Sequence, residues 1–266
     1  MAILKPLIRS NMNIRLYITA VVLSLSMHHT GAQEVATQLA LGATDNLDTY
    51  LSPEKYSGFQ GRFMSEVVRS SAKRPMAYIL IHEGTMASTH NRAETASEIS
   101  GGYDFSYTAA RRFNMAHDRL RLLVGAMAHY SVGFAYNTRT SANNPAQGYM
   151  SVDIGPHVML NYGFTLWGKA MRVNWEARLP LVGVMFSPNY GQSYYEIFNR
   201  GDYDHNIVVT SVAVPQLRHH ISLDIPFSAR CALRVGYLGD YRQAKPNNLK
   251  QHNYYNAATI GVVVRK

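Results

Sequence analysis

Leu120-Arg-Leu-Leu-Val-Gly-Ala-Met-Ala-His-Tyr-Ser-Val-Gly-Phe-Ala-Tyr136 reads in two phases. The even positions, Leu120, Leu122, Val124, Ala126, Ala128, Tyr130, Val132, Phe134 and Tyr136, are apolar throughout and end in aromatics. The odd positions include Arg121, Gly125, His129, Ser131 and Gly133. Alternation with period two marks an extended strand with unlike faces.

The pattern recurs on both sides. Met150, Val152, Ile154, Val158, Leu160 and Tyr162 oppose Ser151, Asp153, His157 and Asn161. A tight turn at Tyr162-Gly163 then reverses the phase, so that Trp167, Met171, Val173, Trp175 and Leu179 oppose Arg172, Asn174, Glu176 and Arg178. Residues 98–109, 217–227, 230–242 and 258–264 alternate in the same way, with Asp224, Arg230, Arg234, Asp240 and Arg242 on the polar face. The pattern is weaker at 58–70, 75–91 and 203–214.

Several runs are much longer than the ~5–6 residues of a soluble strand. They meet the ~9–11 residues of a tilted membrane strand. Long alternating strands with aromatic ends are the pattern of a transmembrane barrel. A soluble sandwich or lipocalin-like barrel also alternates, but with its polar face in water. Here the charged rows face inward, since a dry core would not tolerate them beside one another. The expected fold is therefore all-β, an antiparallel up-and-down transmembrane barrel. About eleven candidates and an even strand number give twelve strands, with ten as the alternative. Trp167 and Trp175 are expected to face outward as interface anchors.

The N-terminus reads as an export signal. Lys5, Arg9 and Arg15 precede an apolar run from Leu16 to Met27, too short for a membrane helix. Thr30-Gly31-Ala32 offers a cleavage site, giving a signal peptide at 1–32 and a barrel domain at 33–266. Without the signal's three bases, 23 of the 26 Lys and Arg remain against 17 Asp and Glu. No basic run suits nucleic acid. Cys231 is the single cysteine, and the eleven His lack metal-ligand spacing, so no metal or cofactor is expected. The expected location is the outer membrane. Expected partners are membrane lipid, the outer-membrane insertion machinery and an unidentified small ligand.

At this size the inward residues Arg121, His129, Asp153, His157, Arg172, Glu176, Arg178, Arg230, Arg234, Asp240 and Arg242 meet across a narrow lumen. Mixed charge there favours a plugged or narrow interior and a non-enzymatic role: structural, or passage or binding of a small ligand. One alternative is a lipid acyl hydrolase. His220, Ser222 and Asp224 share one strand face, reminiscent of the His-x-Ser pair of outer-membrane phospholipase A. Alternate strand residues lie ~7 Å apart, too far for a direct His–Ser bond. Leu223-Asp224 also follows Ser222, where that pattern has Asn-Gly. A soluble periplasmic ligand-binding sandwich is the second alternative.

Three segments break the alternation: 44–56, 137–147 and 180–204. The last holds Phe186-Ser-Pro-Asn-Tyr-Gly-Gln-Ser-Tyr-Tyr-Glu-Ile-Phe198, with Ser193 as the other hydroxyl to be weighed as a nucleophile. It is not a G-x-S-x-G elbow, and no helix is expected after it. Tyr190, Tyr194, Tyr195, Glu196 and Phe198 are expected to belong to a loop packed over the barrel mouth. Strand parity from periplasmic termini puts these three loops on the periplasmic side. With Leu47-Asp-Thr-Tyr-Leu-Ser-Pro53 and Asn143-Asn-Pro-Ala146, this segment resembles a Bacteroidota family of exported proteins classed as a domain of unknown function, along essentially all of 35–266. The resemblance implies an outer-membrane barrel and carries no catalytic residue with it.

Overall fold

The computed structural model describes residues 32–70, 74–138, 145–211 and 216–266. Residues 1–31 of the expected export signal, and Asn143 and Asn144 of the third motif, lie outside the described residues.

The chain forms twelve antiparallel strands: β1 Ala32–Asp48, β2 Tyr56–Ser70, β3 Met76–Asn91, β4 Ser97–Met115, β5 Leu120–Asn137, β6 Ala146–Leu166, β7 Lys169–Arg178, β8 Val182–Phe186, β9 Ile207–Ser211, β10 Leu217–Pro226, β11 Cys231–Ala244 and β12 Gln251–Arg265. Ten of them close a barrel in the order β1-β2-β3-β4-β5-β6-β7-β10-β11-β12, with β12 returning to β1 from Glu34↔Arg265 to Asp48↔Gln251. The remaining two, β8 and β9, form a hairpin that continues the wall along the first part of β6. Both strand numbers read from the sequence therefore have a meaning, twelve in total and ten in the ring. Closure leaves no strand of the ring with an open edge, as lipid demands.

β7 and β8 act as one strand with a bulge. His157 pairs with Arg178 and Ile154 with Val182, so Leu179–Leu181 stand opposite only Gly155 and Pro156. A Cβ on Gly155 would lie 2.0 Å from the Leu179 carbonyl oxygen, so the bulge needs glycine there. Proline beside it fits the rule that strand prolines sit at bulges.

The outer surface is apolar. Phe59, Ile154 and Ile260 are 56%, 55% and 55% exposed, while Arg62, Glu83 and Asp240 are each 2% exposed. This inversion excludes the soluble sandwich, in which the apolar rows would be buried. The interior is not charged throughout, however. Toward one end of β2–β6, Ile79, Ile81, Leu123 and Met159 form an apolar cluster inside the barrel. Among the described residues no helix is long and apolar enough to cross a membrane.

Two corrections concern the ends. β6 runs on to Leu166, and its turn to β7 is Trp167-Gly168, with φ of +51° and +73°, the left-handed pair of a two-residue hairpin. Gly163 is a strand residue opposite Arg172, and Trp167 sits in the turn, 85% exposed. The outward phase simply continues through Tyr162, Phe164 and Leu166. Trp175 does face outward. Second, the connections 49–55, 138–145 and 187–206 all leave from the end opposite the start of β1 and the finish of β12. Each follows an odd number of crossings, because 32–48 supplies the first and β8–β9 add none. This is the loop end, and the other, with its short connections, is the turn end.

Candidate functional site

Ten strands leave a lumen only slightly wider than side chains can fill. In its turn-end half, Asp224 on β10 accepts from Arg234 Nε at 2.6 Å, Arg265 Nη2 at 2.6 Å and Arg172 Nη2 at 2.8 Å. Glu34 on β1 joins the same three arginines, and Glu66 lies 3.4 Å from Arg234. Arg121 donates to Asn161 at 3.0 Å, and Asn161 to Asn174 at 2.9 Å.

The next layer is a floor centred on Glu83 of β3. It accepts from Arg218 at 2.6 Å, Arg178 at 2.7 Å and Arg62 at 3.0 Å. Arg62 also donates to Asp240 at 2.6 Å and lies over the Tyr255 ring at 5.0 Å. Glu176 lies 3.0 Å from Arg178 and 3.3 Å from His157. Arg242 grips Asp104 with two donors at 3.0 and 3.1 Å. His129 stands between Asp104 and Asp153 at 3.4 and 3.5 Å. Most of these buried ions thus have partners from more than one strand, as buried charge requires.

Above this floor the lumen is hollow. A cavity of about 220 Å³ opens toward the loop end, lined by Asn46, Gln60, Glu98, Tyr149, Ser151, Asn253 and the upper faces of Asp104, His129 and Arg242. Its rim joins loop motifs that are far apart in sequence. Asp48 accepts from Tyr149 Oη at 2.7 Å and from the Tyr50 backbone N–H at 2.9 Å. Tyr50 Oη donates to the Gln192 carbonyl at 2.8 Å. Tyr194 Oη donates to Gln147 at 2.9 Å and accepts from the Gly148 N–H at 2.6 Å. Burial first, then neighbouring Tyr194 and Asp48, push the Tyr50 phenol above its ordinary range, so it stays a donor.

The segment 193–200 corrects one expectation. Ser193 caps a helix, α1 Tyr194–Arg200, with Glu196 returning the bond in a capping box and Gly201 closing it at φ +73°. The Ser193 hydroxyl is thereby a structural cap. Tyr194 packs on Phe198 and Tyr50, but Tyr190, Tyr195 and Phe198 are mostly exposed and do not close the mouth.

His220, Ser222 and Asp224 do share the inner face of β10, yet they form no relay. His220 Nε2 lies 3.0 Å from Thr259 Oγ1, Asp224 is held by three arginines, and the buried Ser222 Oγ has no hydrogen-bond partner among the described residues. Arg121, Arg172, Arg178, Arg234, Asp240, Arg242, His129, His157, Asp153 and Glu176 line the interior. Arg230 lies instead in the exposed β10–β11 turn. Sequence reasoning missed Glu83, because β3 alternates poorly, and Asp48, Tyr50 and Tyr149 as a joined rim. Among the described residues no cluster of His, Cys, Asp and Glu could hold a metal.

The outer membrane protease OmpT from Escherichia coli has a similar structure, with a TM-score of 0.55 and 9% identity over 89% of this chain and 97% of that one. The translocator domain of the autotransporter NalP from Neisseria meningitidis aligns over 97% of this chain and 96% of its own, at 12% identity and a TM-score of 0.41. The transport unit of the autotransporter AIDA-I from Escherichia coli aligns over 93% and 96%, at 7% identity and a TM-score of 0.44. At such identities the OmpT likeness concerns the fold alone: an outer-membrane β-barrel. No curated protein matches the sequence. A family profile described as protein of unknown function (DUF3316) matches residues 14–265, and the chain therefore belongs to that family.

Proposed function

We propose that the chain, exported by its segment 1–32 and placed in the outer membrane by the insertion machinery, is a closed barrel that holds a small polar ligand in its loop-end cavity and performs no catalysis. One observation carries this reading: a hollow of about 220 Å³ stands directly above a floor of interlocked ion pairs around Glu83. A pore would need that floor to be absent. A hydrolase would need a nucleophile free to be activated by a base: Ser222 Oγ has no hydrogen-bond partner among the described residues, and the Ser193 hydroxyl is engaged with Glu196 in the helix cap.

The test has two arms. In planar bilayers the wild-type barrel is expected to show no stepwise conductance, and regular steps would overturn the closed lumen. In the second arm, small amines, sugars and phosphates are titrated against the detergent-solubilised barrel, with its melting temperature as readout. At least one should stabilise the wild type and lose its effect in Ser131→Phe, which fills the cavity from β5. Equal responses from both proteins would remove the cavity as the site.

A further inference from the structure

The two ends of the barrel differ in exposed charge. At the turn end, Arg74 follows the β2–β3 connection, Arg111 and Arg119 flank β4–β5, Lys169 begins β7, Arg230 lies between β10 and β11, and Lys266 follows β12; all are exposed. Every connection at this end thus carries a cation. The exposed acid there, among the described residues, is Asp118. At the loop end, Glu54, Glu94, Asp202 and Asp204 face Lys55, Arg92, Arg200, Lys245 and Lys250, close to balance.

The turn-end cations stand beside lipid-facing aromatics. Phe113, Phe227 and Trp167 are 41%, 64% and 85% exposed, and the Arg111 guanidinium lies 5.6 Å over the Phe113 ring. Exposed aromatics of this kind sit at headgroup depth. The cations are also spread around the perimeter, one or two per turn, instead of being gathered on one side as an acidic protein or nucleic acid would require.

We infer that the turn end is a collar for anionic phospholipid headgroups, recruiting net-negative lipid to the leaflet it contacts. Cations at a membrane surface each attract anionic lipid, within a Debye length. The inference rests on the membrane reading but not on the cavity, and its test separates the two.

The full barrel is reconstituted in vesicles of equal phosphatidylcholine and phosphatidylglycerol, brominated on the acyl chains of one lipid or the other. Quenching of Trp167 and Trp175 gives the relative binding constant of the two lipids. The wild type should prefer phosphatidylglycerol about 3- to 10-fold in low salt, and the preference should approach 1 in roughly 0.5 M salt. A turn-end variant, Arg74→Gln/Arg111→Gln/Arg119→Gln/Lys169→Gln/Arg230→Gln, should lose the preference while retaining heat-modifiable gel mobility. The loop-end variant Lys55→Gln/Arg92→Gln/Arg200→Gln/Lys245→Gln/Lys250→Gln should keep it. Equal affinity for both lipids in the wild type, or an equal loss in the two variants, overturns the collar. If the turn-end variant fails to fold, the salt titration of the wild type decides alone. Quenching by neither lipid overturns the membrane reading itself.

Discussion

The two halves of the lumen draw on the same kinds of residue and reach opposite conditions. In the turn-end half, Asp224 and Glu34 share three arginines, and the apolar cluster around Ile79 and Leu123 fills the space beside them. In the loop-end half, Asn46, Gln60, Ser151 and Asn253 are too short to meet across the barrel, and a cavity remains. The difference lies in side-chain reach: an arginine spans to the opposite wall, while serine and asparagine stop near their own. Burying so many ions does not by itself stabilise a fold, since desolvation offsets much of the attraction. What the network supplies is a fixed arrangement, because each member is held by groups from other strands and removing one leaves those groups short of counter-charge.

The largest expected effect follows from that. Glu83→Ala takes a shared carboxylate from three buried guanidiniums and should destabilise the barrel by roughly 3–5 kcal/mol, read as a lower midpoint of heat-modifiable unfolding. Ser151→Ala, on the cavity wall, should move the midpoint by less than about 0.5 kcal/mol. Comparable losses would erase the distinction between floor and cavity.

Packing gives a second contrast. Ala110→Phe in the packed half should cost about 1–3 kcal/mol by overfilling, while Ser131→Phe enters open space and should be nearly neutral. A smaller effect is expected at the rim. Tyr149→Phe removes one donor from Asp48 and should cost about 1 kcal/mol, visible as faster amide exchange in 49–55.

The smallest concerns α1. Ser193→Ala should cost the helix about 1 kcal/mol, with faster exchange in 194–200 and an unchanged barrel. The Ser193 backbone N–H, then its hydroxyl, hold the Glu196 carboxyl below its ordinary range. A lowered folded-state pKa stabilises above the ordinary carboxylate pKa, so α1 protection should be full near neutral pH and fall as pH drops through the lowered value. Protection that rises on acidification would contradict the capping box.

The barrel was legible in the sequence because its outer rows alternate without interruption where lipid permits no exception, as along β5. Turns were harder to place. Gly163 resembled one, but glycine also serves where an inner wall has no room, and the outward row through Leu166 was the better guide. The β7–β8 bulge was hidden, since its extra residue only shifts the phase between two short runs. The capping box at Ser193 and Glu196 was a local signal that the surrounding loop residues masked. The cavity could not be read at all, because it depends on which residues of many strands share a height, and that follows from register.

β6 is 21 residues long. At ~3.3 Å per residue and a tilt near 40° it rises roughly 50 Å, about twice the ~25 Å hydrocarbon-facing belt of such barrels. At the loop-end rim, beside Asn46, the outer wall of β1, β2 and β12 carries Asp45 bonded to Ser57 at 3.0 Å and to His252 at 2.8 Å, a surface suited to water. The loop-end rim of the barrel is therefore long enough to project beyond the lipid slab. A bulky, membrane-impermeant thiol reagent supplied on that side should reach a cysteine placed at Ser57 without disturbing the bilayer.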